Sequence, residues 1–235
     1  IHDINDEGAI DLKATGLRLQ AVQDIGVPGN ALDISVETLS AHSAENIALI
    51  EQNAVRISDT SVTVKRVSSD SSLSDITDEA QSDIVTTNNG SIIIKSLAGN
   101  IVLDDGSVSD DNRAINAHGT GNIFVQAAGA TGKIIAHAGL ITDTGHISVL
   151  SKNDITFNTL ADINTGGSGT IDVQSAGGRL VFATSSDQTA TSGNIRLEAG
   201  THVSLGGTAT TSGDISIKAG GWIHDSDTDE SLDLI

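Results

Sequence analysis

One phrase recurs through this chain and limits what it can fold into: a glycine, a small polar residue, then alternating apolar and polar residues. It reads Gly121-Asn122-Ile123-Phe124-Val125-Gln126-Ala127, and returns with glycines at Gly145, Gly169, Gly193 and Gly213, spaced 24, 24, 24 and 20 residues apart. Earlier copies begin at Gly8, Gly90 and Gly99, and looser ones are Leu32-Asp33-Ile34-Ser35-Val36 and Asn46-Ile47-Ala48-Leu49-Ile50. Within each phrase the period is two, so Ile and Val point one way and the polar residues the other, as in a short half-buried strand. A second strand often follows about ten residues later, as in Ile155-Thr156-Phe157 and Leu180-Val181-Phe182. Gly and Asn punctuate the joins, where turns with positive φ are expected.

A unit of about 20–24 residues with two or three short strands and no helix cannot bury its own apolar face. Stacking coil on coil solves this, each strand pairing in parallel with its equivalent at about 4.8 Å. The expected fold is therefore all-β, a parallel β-helix over residues 1–235, with ten or eleven coils if the chain divides evenly. A β-sandwich also fits strands at 8–12-residue spacing, but the unit that repeats here is the whole glycine-to-glycine phrase. Composition agrees with a narrow, regular core. There are three Phe, one Trp and no Tyr, Met or Cys, so Ile, Val, Leu and Ala must fill it.

Residues 51–89 lack the phrase and are crowded with Ser, Asp and Thr. They read as an irregular coil or a loop that leaves the rod, although Val62, Val64 and Val67 are spaced for a strand. Ile1-His2-Asp3 recurs as Ile223-His224-Asp225, and Ile10-Asp11-Leu12 as Leu232-Asp233-Leu234, both at an offset of 222. That pattern predicts a second-order repeat, with residues 223–235 beginning a next copy. Adjacent copies joined end to end, or self-assembly into fibres, follow as the expected partners.

The phrases Gly193-Asn194-Ile195-Arg196-Leu197-Glu198-Ala199 and Gly220-Gly221-Trp222-Ile223-His224-Asp225 resemble the filamentous-haemagglutinin-like repeats of giant bacterial surface proteins. The likeness covers residues 90–235 well and 1–50 moderately. It implies a right-handed β-helix, secretion or display at the cell surface, and a structural or adhesive role toward host or neighbouring-cell glycans or proteins. No export signal is evident in the first residues, so one is expected outside this sequence.

The formal net charge is −19. Such a chain repels nucleic acid and anionic lipid, and no apolar run approaches the roughly 20 residues of a membrane helix. Divalent cations fit the charge better. Asp225-Ser226-Asp227-Thr228-Asp229-Glu230 alternates oxygen donors, and Asp104, Asp105 and Asp110 belong to a second dense cluster. Asp225, Asp227, Asp229, Asp104, Asp105 and Asp110 are thus the candidate Ca²⁺ ligands, set against ordinary solvated acidic turns. The seven histidines are scattered, without metal-ligand spacing. Parallel β-helices can also carry carbohydrate-active sites, which need two carboxylates close together. Ser148 and Arg196 occupy the places equivalent to Asp172 in adjacent coils, so the expected role is non-catalytic, with a carbohydrate-binding or carbohydrate-active β-helix as the alternative.

Overall fold

The computed structural model describes residues 1–3, 8–108 and 111–226. The chain is all-β and forms a parallel β-helix: among the described residues, 22 strands join one continuous sheet wound round an axis, and two more form a separate hairpin. Each coil presents three faces. Face A carries the five-residue strands Ile92–Ser96, Ile123–Ala127, Ile147–Ser151, Ile171–Ser175, Ile195–Ala199 and Ile215–Ala219. Face B follows with three-residue strands such as Ile134–Ala136, Ile155–Phe157, Leu180–Phe182, Val203–Leu205 and Ile223–Asp225. Face C closes the coil with Gly139–Thr142, Ile163–Thr165, Gln188–Ala190 and Thr208–Thr210.

The glycine phrase is face A. Ile123, Ile147, Ile171, Ile195 and Ile215 stack in exact register, one per coil. Their side chains point inward and are buried, except in the last described coil, where Ile215 is half-buried. Inside face B, Phe157 stacks on Phe182 with ring centroids 5.2 Å apart. Ala136 is the register partner of Phe157 one coil earlier, and this small-on-large succession lets the rings fill the lumen.

Gly90, Gly121, Gly145, Gly169, Gly193 and Gly213, which open phrases, are not at positive φ; of the phrase glycines Gly8 and Gly99 are, as are Gly26, Gly29, Gly119 and Gly167 elsewhere. The physical requirement is contact instead. A β-carbon on Gly121, Gly145, Gly169, Gly193 or Gly213 would overlap the carbonyl oxygen of the preceding phrase glycine one coil below. Backbone packs on backbone at this corner. Buried hydroxyls tether it: Thr142 Oγ1 donates to Gly121 O at 2.7 Å and Thr165 Oγ1 to Gly145 O at 2.6 Å. The small polar residue after the glycine has a related use. Asn122 Oδ1 accepts the His146 N–H and Asn194 Oδ1 the Asp214 N–H, each one coil on. The buried threonine hydroxyls and the exposed asparagine ladder thus pair polar groups from coil to coil.

The first coils depart from this regularity. Leu12–Gln20 and Leu32–Ser43 are long strands paired along their length. Leu32–Ser43 bends round the coil, pairing in turn with Ile47–Glu51, Val55–Ile57 and Ile84–Thr86. Residues 51–89 resolve into two rod strands, Val55–Ile57 and Ile84–Thr86, with an antiparallel hairpin between them, Thr60–Val67 against Leu73–Gln81. At its root Gln81 Nε2 donates to Leu19 O at 2.9 Å and to Ser40 Oγ at 3.0 Å, and Ser40 and Thr60 share a hydroxyl bond. The hairpin and the 31-residue coil from Ile92 to Ile123 consume residues, so the rod has fewer coils than even division gives.

Ile1 exchanges backbone hydrogen bonds with Asp24 and Gly26 at 2.7 Å each, beside Ile25, which pairs with Ile47 on face A. Ile223 pairs with Val203 on face B. The two Ile-His-Asp phrases therefore occupy different faces, and residues 227–235 lie outside the described residues.

Candidate functional site

Of the six candidate cation ligands, Asp110, Asp227 and Asp229 lie outside the described residues. Asp104 is ion-paired with Arg56. Asp105 Oδ2 accepts the Asn112 N–H at 3.0 Å, while its Oδ1 is buried without a hydrogen-bond partner. Asp225 ends a face B strand in register with Leu205.

Three other carboxylates do converge. Asp3, Asp11 and Asp33 place one oxygen each within 4.8 Å of one another. Asp3 and Asp33 are 8% and 5% exposed. Asp11 Oδ2 accepts the Asp33 N–H at 2.9 Å, Asp33 Oδ1 accepts from Gln52 at 3.2 Å, and Asn30 Nδ2 donates to Asp3 O at 2.9 Å. Oxygen donors of this kind suit a hard divalent cation, which would need several further oxygens to complete its shell. Sequence reading missed the trio because Asp33 lies 22 residues after Asp11 and one coil above it, and no local motif marks the three.

On the outer side of face A, Asp172 faces Arg196 and not a second acid: Arg196 Nη1 donates to Asp172 Oδ1 at 2.7 Å. Arg196 also pairs with Glu198, which accepts from Lys218 Nζ at 2.8 Å and from Gln174 Nε2 at 3.1 Å. The hydrogen bond to Asp172 raises the Arg196 pKa, and Lys218 lowers that of Glu198. The ladder is a charge-balanced surface network.

The outer side of face B is different in kind. The residue just before each strand gives its carbonyl to the strand one coil earlier, and this aligns Lys133, Asp154, Arg179, His202 and Trp222 in one column. Asp154 accepts from Lys133 Nζ at 2.9 Å and from the Arg179 N–H at 3.0 Å. The Arg179 N–H, foremost, and then Lys133 hold its carboxyl below the usual aspartate value. His202 Nδ1 accepts the Trp222 N–H at 3.2 Å, and the two rings stack with centroids 4.2 Å apart. Trp222 is nevertheless 65% exposed. Two shallow troughs of about 500 and 290 Å³ follow this column and share Arg179 as a wall. A depression of about 570 Å³ beside Lys13, Thr15, Glu37 and Asn53 has no aromatic lining.

No family model, curated protein or solved structure matches the chain.

Proposed function

We propose that the chain is a non-catalytic structural or adhesive rod, a segment of a large secreted or cell-surface bacterial repeat protein of the filamentous-haemagglutinin-like kind. The observation that carries this reading is the stacked column Ile123, Ile147, Ile171, Ile195 and Ile215, with its in-register strands on three faces. A solenoid of this kind gains length coil by coil and presents long, regular side faces, which is what a stalk or a contact surface uses. The Asp172–Arg196 pair favours it over a carbohydrate-active enzyme, since the neighbouring place that a second carboxylate would take holds a cation. Contact with copies of itself end to end, coil stacking on coil, belongs to the same reading.

Small-angle scattering and incubation with plant and bacterial polysaccharides test it. An elongated particle that releases no sugar is expected. A compact particle would overturn the rod, and reducing ends released in proportion to protein would overturn the non-catalytic role.

A further inference from the structure

We propose that the outer side of face B binds a neutral, linear polysaccharide laid along the rod axis, with one sugar ring seated on Trp222. This deepens the adhesive reading and rests on it, by naming the class of partner.

Trp222 is the chain's single tryptophan, and its indole is largely exposed, whereas the rings of Phe157 and Phe182 are fully buried in the lumen. Exposing such a ring forgoes burial of a large apolar surface. It is also held in place: His202 stacks beneath it and takes its backbone N–H. A platform already ordered loses little freedom when a ligand arrives. A hexose offers the matching surface, an apolar ring face bordered by hydroxyls.

The rest of the column supplies what the hydroxyls need. Arg179 and Lys133 are donors and Asp154 between them is an acceptor, all on one line with His202 and Trp222. Parallel pairing spaces these groups about 4.8 Å apart along the axis, a step suited to successive units of an extended sugar chain. The two troughs meet at Arg179, so the path is continuous. Charge selects between sugars. The chain carries −19 overall, so a polyanion is repelled at long range. A neutral glycan is not.

Because the chain has one Trp and no Tyr, its intrinsic emission reports this site alone. Titration with cellohexaose, maltohexaose, laminarihexaose and mannohexaose is expected to give a saturable change with at least one of them. Calorimetry should then show affinity falling about tenfold in Trp222→Ala, equivalent to about 1.4 kcal/mol, and by a smaller factor in Arg179→Ala. Far-UV circular dichroism of Trp222→Ala should match the parent. No saturable response to any of the four, or undiminished binding by Trp222→Ala, overturns the proposal. So does a response to hyaluronan hexasaccharide alone that disappears in physiological salt. An elongated particle that ignores all four sugars removes the glycan site and leaves the rod; a compact particle that binds one removes the rod.

Discussion

Gly193 stacks directly on Gly169, its α-carbon so near the Gly169 carbonyl that no β-carbon fits between them. Gly193→Ala is expected to force the two coils apart, at a cost of about 1–3 kcal/mol or more, as for overpacking elsewhere. Gly16 is the control. A β-carbon there meets nothing within 4 Å and its φ is not positive, so Gly16→Ala should leave the melting temperature unchanged or raise it slightly. Thermal melts of the two variants check the contrast.

Phe157→Ala removes a fully buried ring that stacks on Phe182. The lumen is lined by strands hydrogen-bonded above and below and cannot collapse freely, so the cost should approach the upper part of about 3–5 kcal/mol. Phe157→Leu should cost clearly less. Denaturant unfolding of both measures the difference.

Glu51 is 1% exposed, at a corner where later coils carry Ser96, Ser151 and Ser175. Its two oxygens accept the Val36 and Asn53 N–H groups at 2.9 Å each. Burial pushes its carboxyl above the usual glutamate value, more than these bonds lower it. A raised carboxyl favours folding while protonated, and that contribution is lost as pH rises through the raised value. The melting-temperature difference between the parent and Glu51→Gln should therefore shift toward the parent as pH falls from neutral to below the ordinary glutamate range. A difference that moves the other way contradicts the assignment.

Gln81 fastens the hairpin to the rod through Leu19 O and Ser40 Oγ. Gln81→Ala leaves that buried carbonyl and hydroxyl short of a donor, at about 1–3 kcal/mol. Val64→Ser, on the exposed hairpin strand, should be close to neutral. Hydrogen exchange should show faster exchange at the hairpin root in Gln81→Ala alone.

Face A was legible in the sequence because Ile and Val alternate there with polar residues, mostly after a recurring corner glycine, and the face B strands around Phe157 and Phe182 were legible by the same alternation. Face C was not. Its inward positions include Thr165, Gln188 and Thr208, which are buried yet polar, so hydrophobic alternation fades although the strand remains. The corner glycines were found, but their reason is a backbone contact between coils, which a single phrase read alone does not reveal. The approach of Asp33 to Asp3 and Asp11, and the column from Lys133 to Trp222, arise only from stacking, which brings together residues of successive coils.

The account rests on that stacking, and spin-label distances along one outward column test it most directly. The chain has no cysteine, so pairs can be introduced freely. Ile93, Phe124, Ser148, Asp172, Arg196 and Ser216 follow one another in register. With one label at position 216 and the other at 148, 124 or 93, the backbone separations should rise evenly through about 14, 19 and 24 Å, one step of about 4.8 Å per coil. Separations that fail to grow by a constant step, or that shrink from 124 to 93, would contradict the β-helix.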